Sequence, residues 1–287
     1  MPRILLATHG GHGADGAVRV ASLLAQRRQA SLDVVTVLEP FPLLGTVDMG
    51  SMGLVPSPEQ YEGLGEALRA SVSAQLRGCQ VVGAAPDLRV GPVAPEIAYA
   101  ARTSGADLIV IGLGPHKVID RALGGETALQ LVQIATTPVL AVPADAAALP
   151  RRVVVAVDFT PTSVRAARAA AQCLAAGDVL DLVHVVREAL PSSESPRDQG
   201  RGARLRDLAS QLVVPSGVEV VALELQRDPA RALLGYLESS PADMIALGSH
   251  GYGLWKRLAL GSVVSKVVRL ATSAVLVAPI GSISVPG

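Results

Sequence analysis

Gly248, Gly251, Gly261 and Ser262 are the residues of this chain whose types and spacing could do chemistry together. Gly248-Ser249-His250-Gly251 follows an apolar run at 244–247, and Gly261-Ser262 stands ahead of a helix-like segment and a second apolar run at 275–277. This reads as strand, glycine loop, helix, strand. Such an order places unpaired backbone N–H groups and the positive end of a helix dipole at the carboxyl edge of a sheet, where an anion binds. Phosphate is the expected guest. Glycine allows positive φ and a close approach of backbone to ligand, and Ser262 is placed both to cap the helix and to donate to phosphate. The same residues also suit a plain turn and cap without a ligand.

The spacing Gly248-x2-Gly251-x9-Gly261-Ser262, with Ala242-Asp243 leading into the strand, resembles the nucleotide-binding signature of the ATP-binding branch of the universal stress protein family. The resemblance implies that the loop amides and the serine hydroxyl hold the ATP phosphates. It also implies an Asp at the end of the first strand contacting the nucleoside, and a main-chain contact to adenine at the end of the second. Carried over residue by residue, it gives a site of Asp158, Val185, Leu247, Gly248, Gly251, Gly261, Ser262 and Val263. The implied cofactor is ATP, with or without Mg2+. Asp158 reads equally as a turn residue preceding a helix.

These residues need a scaffold. Apolar runs predict strands at 3–8, 32–38, 88–90, 106–112 and 139–142, and again at 153–157, 179–186, 218–225, 244–247 and 275–277. Helical spacing predicts helices at 14–28, 61–77, 95–103 and 127–135, then at 162–175, 204–212 and 229–238. Near-continuous apolar strands alternating with helices indicate a parallel sheet covered on both faces. The order also repeats residue for residue. Ala106-Asp107 aligns with Ala242-Asp243, Gly112 with Gly248, Gly125 with Gly261, Ala135-Thr136 with Ala271-Thr272 and Pro143 with Pro279, without a gap. Two domains are therefore expected, 1–146 and 150–287. The expected fold class is α/β, two tandem copies of a doubly wound, mostly parallel five-stranded sheet, which the resemblance makes Rossmann-like and adenine nucleotide α-hydrolase-like. Since single-domain members of that family pair through their last strands, the resemblance further implies an intramolecular pseudo-dimer in which 139–142 pairs with 275–277. Association of two whole chains stays open.

The first half departs from the motif at each diagnostic place. His9 stands where the Asp would be, Pro115 replaces the second glycine and Glu126 replaces the hydroxyl. A carboxylate a few Å from a phosphate, at an effective dielectric of about 20, repels it by about 4 kcal/mol before screening; proline also removes an N–H donor. The first half is expected to bind no ATP. It carries a competing pattern, Gly11-x-Gly13-x-x-Gly16 between a strand and a helix with Glu39 at the end of the next strand, which fits a dinucleotide fingerprint as well as an ordinary strand–helix turn. The Gly- and Pro-rich stretch at 39–58 reads as a loop, either a lid over the strand ends or an insertion.

Composition narrows the classes of partner. Lys+Arg and Asp+Glu balance at 25 each, which removes the electrostatic case for a nucleic-acid or anionic-membrane binder. Aromatics at 2% leave few stacking platforms for single-stranded bases. No apolar run is long enough to span a bilayer, and Met1-Pro2-Arg3 leads directly into a strand, so a cytoplasmic location is expected. Cys79 and Cys173 lack paired spacing and read as reduced packing residues; the five histidines lack metal-ligand spacing, and His184 reads as a core histidine. Loop residues Lys256 and Arg257 read as solvated cations, and Trp255 as a packing residue. The functional expectation is an adenine-nucleotide-binding stress-response regulator with an unidentified protein partner. A nucleotide-independent interaction module, and a dinucleotide-binding or ATP-hydrolysing enzyme, remain as alternatives.

Overall fold

In the computed structural model, residues 1–39, 57–113, 124–186, 200–249 and 261–280 are described. The first half runs β1 (Arg3–Ala7), a 3-10 turn at His12–Ala14, α1 (Asp15–Arg28), β2 (Ser31–Leu38), α2 (Pro58–Gly78), β3 (Pro86–Val90), α3 (Val93–Ser104), β4 (Leu108–Gly112), α4 (Gly124–Ile134) and β5 (Val139–Val142). The second half runs β6 (Arg152–Ala156), α5 (Pro161–Ala171), β7 (Val179–Val186), α6 (Arg201–Gln211), β8 (Glu219–Gln226), α7 (Pro229–Ser239), β9 (Met244–Gly248), α8 (Ser262–Leu270) and β10 (Ala274–Ala278).

All ten strands join one sheet in the order β3-β2-β1-β4-β5-β10-β9-β6-β7-β8. Pairing is parallel throughout except where β5 meets β10. There Leu140 opposes Leu276, flanked by Val139 opposite Val277 and Ala141 opposite Val275. Leu140 and Leu276 are also equivalent residues of the repeat, so a pseudo-two-fold axis passes through this pair, as at an isologous interface. The expected pairing of 139–142 with 275–277 is present. Because the two parallel halves meet antiparallel, their carboxyl edges point to opposite sides of the molecule. Any cleft at one edge is far from its counterpart.

The strands are apolar on both faces because both faces are covered. On one face Ile4, Leu6, Val153, Val155 and Leu182 pack against α1, α5 and the buried residues Val72 and Leu205 of α2 and α6. On the other, Leu5, Ile109, Val154, Ile245 and Val275 pack against α3, α4, α7 and α8. Helix α5 meets the sheet through Ala166, Ala167, Ala170 and Ala171, whose small side chains bring its axis close.

Several boundaries differ from the sequence expectation, those of α2 and α5 for a local reason. Helix α2 starts at Pro58 because Ser57 closes a capping box: its hydroxyl accepts from Gln60 N at 3.3 Å and its own N donates to Gln60 Oε1 at 2.7 Å. Helix α5 ends at Ala171, where Cys173 N and Leu174 N bond three residues back, to Ala170 O and Ala171 O. Helix α6 begins at Arg201, three residues ahead of the helix expected from 204. Helix α4 begins at Gly124, so Gly125 and Glu126 belong to its first turn.

Candidate functional site

Of the site residues expected in the second half, Asp158 follows β6, and Leu247 and Gly248 end β9, its neighbour in the sheet. Asp158 lies just past β6, half-buried. Its Oδ1 accepts from Thr160 N at 3.0 Å and from the Thr160 hydroxyl, and that hydroxyl in turn accepts from Ser163 N at 3.3 Å, capping α5. Asp158 is thus a turn residue here, with one oxygen committed to the turn.

Gly248 ends β9 against the start of α5. A β-carbon built on it would lie 2.6 Å from Thr162 Oγ1 and 2.7 Å from Ser163 N, so no other residue fits without moving the helix. The equivalent Gly112 meets Gly13 O and Ala14 Cα at 3.1 Å. Glycine was expected here partly for positive φ; Gly248 is absent from the positive-φ residues, and close approach is the reason that remains. Ser249 is fully buried, donates its N–H to Ala278 O at 2.9 Å and accepts from Gly261 N at 3.2 Å. This last bond brings both ends of the glycine loop together. Gly251 itself, with His250, Trp255, Lys256 and Arg257, lies outside the described residues, as do Pro115 and most of the stretch read as a lid.

Gly261 is the N-cap of α8 and contributes no side chain to it. Ser262 was expected to cap; it is instead the first helical residue, exposed and without a hydrogen bond to another described residue. The first amides of α8, Ser262 to Val264, have no partner within the helix, as at any helix start. Leu247 is buried on the α7–α8 face and Val263 packs partly against the same cluster, so only their backbones are available at the edge.

Val185 follows the alternation of the parallel ladder. Val183 O accepts from Val157 N at 2.8 Å, so the main-chain groups of Val183 point toward β6, and those of Val185, two residues on, point the same way. The β6–β7 register ends at Ala156 opposite Val183. Val185 therefore presents its N–H and C=O to the space beyond the end of β6.

Phe159 and His184 make a feature that the sequence reading missed. Phe159 has φ +61, a left-handed conformation that costs a bulky residue about 1–2 kcal/mol. The equivalent residue of the first half is Gly10, at φ +78, so the turn demands this backbone whichever side chain it carries. The Phe159 ring packs on His184, centroids 4.8 Å apart, and the Arg204 guanidinium lies 4.4 Å from the Phe159 centroid. His184 Nδ1 is 2.6 Å from Val157 O and donates to it. His184, read as a core histidine, is a half-buried, hydrogen-bonded ring near the carboxyl edge.

In the first half, the same turn is clamped by a side chain from α2. Gln75, mostly buried, accepts from the Thr8 hydroxyl at 2.7 Å and donates through Nε2 to Gly11 O at 2.8 Å and Asp15 Oδ1 at 2.7 Å. Burial works against ionisation of Asp15, but the bonds from Gln75 and His12 outweigh it and hold its pKa below the ordinary carboxylate value. His9 is exposed. Gly16, last of the dinucleotide-like glycines, has a packing reason: a β-carbon there would lie 1.9 Å from Pro143 O.

The Ala-Asp pairs that lead into β4 and β9 are structural. Asp107 Oδ2 accepts from Arg3 N at 2.7 Å, and Asp243 Oδ2 from Arg151 N at 2.8 Å and Arg152 N at 3.1 Å, tying the start of each strand to its neighbour. Cys173 is fully buried and its thiol is pushed up to about 11 by desolvation, while Cys79 is half-buried. Among the described residues, no three His, Cys, Asp or Glu side chains are grouped to hold a metal ion, and no helix is long and apolar enough to cross a membrane.

Comparison with known proteins agrees with this architecture. The universal stress protein family model matches twice, over residues 1–143 and 150–279. A universal stress protein of Mycolicibacterium smegmatis (strain ATCC 700084 / mc(2)155) is 27% identical over 293 residues, covering 96% of this chain and 96% of the relative. The crystal structure of a universal stress protein from Archaeoglobus fulgidus DSM 4304 superposes with a TM-score of 0.63 at 20% identity, covering 98% of this chain and 97% of that one, a likeness of fold. Two family matches over the halves that the pseudo-two-fold relates make this chain a tandem member of the universal stress protein family.

Proposed function

We propose that the protein is an adenine-nucleotide-binding stress-response regulator in which the second domain, 150–287, holds ATP, with or without Mg2+, and the first, 1–146, holds none. The observation that carries this reading is a continuous run of contacts at one carboxyl edge. Asp158 bonds Thr160, Thr160 meets Thr162 at 3.0 Å, Thr162 lies against Gly248, and Ser249 closes onto Gly261 ahead of the first-turn amides of α8. In this reading Gly248, Gly251, Gly261, Ser262 and the backbone of Val263 surround the phosphates. Asp158 contacts the nucleoside, and the main chain of Val185 takes the adenine edge, beside Leu247. Backbone donors fixed at a helix start suit an anion without needing a cation. The clamp of Gln75 and Asp15 on the first-half turn supports assigning the nucleotide to the second half alone. A protein partner, as yet unidentified, would read the occupied state.

Thermal melting with ATP, AMP and NAD tests the reading. ATP at about a hundred times its Kd is expected to stabilise by about 2.7 kcal/mol, a readily measured rise in Tm. A rise with NAD alone would move the ligand to the first half, and no rise with any of the three would favour an interaction module.

A further inference from the structure

Phe159 is one of two phenylalanines in the chain, and it occupies a turn position that its counterpart Gly10 fills without strain. The side chain is therefore what the position gains. Its ring is held on one side by His184, itself fixed by the bond from Nδ1 to Val157 O, and carries the Arg204 guanidinium at 4.4 Å. Arg204 is exposed, on the first turn of α6, and has no ion pair among the described residues. The two neighbours of this stack in sequence are Asp158, next to Phe159, and Val185, next to His184.

A guanidinium is planar and weakly hydrated, and it stacks on π faces. With its guanidinium carbon over the Phe159 ring and its side chain exposed, Arg204 offers a cationic group beside the turn that carries Asp158. We propose that Arg204 is a base-binding residue that stacks on the nucleobase of the bound nucleotide, with Phe159 and His184 as its support. This rests on the reading of the cleft given above. Its position at the ends of β6 and β7, and not at the start of α8, assigns Arg204 to the base and not to the phosphates.

Isothermal titration of the full chain with ATP, adenosine and inorganic triphosphate tests the inference. Arg204→Ala is expected to weaken ATP and adenosine equally, each by about tenfold, and to leave triphosphate unchanged. Arg204→Lys keeps the charge and loses the plane, so it is expected to show the same loss. Phe159→Gly keeps the backbone conformation, removes the support and is expected to do likewise. Loss of triphosphate binding, with rescue by lysine, would make Arg204 a phosphate cation and overturn the inference. ATP binding to Arg204→Ala equal to that of the wild-type chain would overturn it too, leaving the site itself standing. A wild-type chain that binds neither ATP nor adenosine would overturn the nucleotide reading and the inference with it.

Discussion

Ser262→Glu is expected to lower ATP affinity by up to about a thousandfold while leaving the unliganded protein at least as stable as before. Ser262 is exposed at the first position of α8 and makes no hydrogen bond to another described residue, so the substitution breaks none among them. A glutamate there meets the helix dipole, a gain of about 0.3–1 kcal/mol. Against a phosphate a few Å away, the same carboxylate repels by about 4 kcal/mol at an effective dielectric of about 20, and each 1.4 kcal/mol is tenfold in Kd. Screening reduces the figure, so added salt should restore part of the affinity. The substitution recreates in the second half what the first carries as Glu126 in the first turn of α4. Titration with ATP and with adenosine checks it: adenosine binding should survive. An unchanged Kd for ATP would mean that no phosphate sits at the start of α8.

Arg152→Ala is expected to cost about 3–5 kcal/mol of folding stability. Asp181 is fully buried, and both its oxygens are held by Arg152, Nε at 2.7 Å and Nη2 at 3.0 Å; Tyr236 donates its hydroxyl to Oδ2 at 3.1 Å. The bond to Asp181 raises the Arg152 pKa against the opposing effect of desolvation. Removing the guanidinium leaves a fully buried carboxylate with the Tyr236 hydroxyl as its remaining side-chain donor among the described residues. The equivalent pair of the first half, Arg3 with Asp33, makes one contact at 3.0 Å with side chains 41% and 35% exposed. Arg3→Ala should therefore cost only about 0–1 kcal/mol. Urea denaturation of the two variants side by side measures the difference, and equal costs would show that burial of Asp181 does not control it.

What was legible in the sequence followed from short-range rules. Strands apolar on both faces, such as 106–112, and the gap-free repeat led to the parallel halves, whereas the pairing of 139–142 with 275–277 was implied by the family resemblance and not by any local pattern. The need for glycine at 248 was also legible, although it comes from contact with Thr162 and Ser163 and not from its φ. The hub at Gln75 was not, because its partners Thr8, Gly11 and Asp15 are more than fifty residues away and no local pattern marks them. Phe159 was hidden for the opposite reason. Its residue type argues against the left-handed backbone that it adopts, and only the stack with His184 and Arg204 explains it. Ser262 carried the residue type of a cap while the chain placed Gly261 at the cap, which leaves the hydroxyl available to a ligand.

A crystal structure grown with excess ATP tests the central claim most directly. One nucleotide per chain is predicted, its phosphates at the start of α8 beside Gly248 and Gly261 and its nucleoside against Asp158. An empty cleft at the end of β6 and β9, or phosphates bound at Gly125, would contradict it.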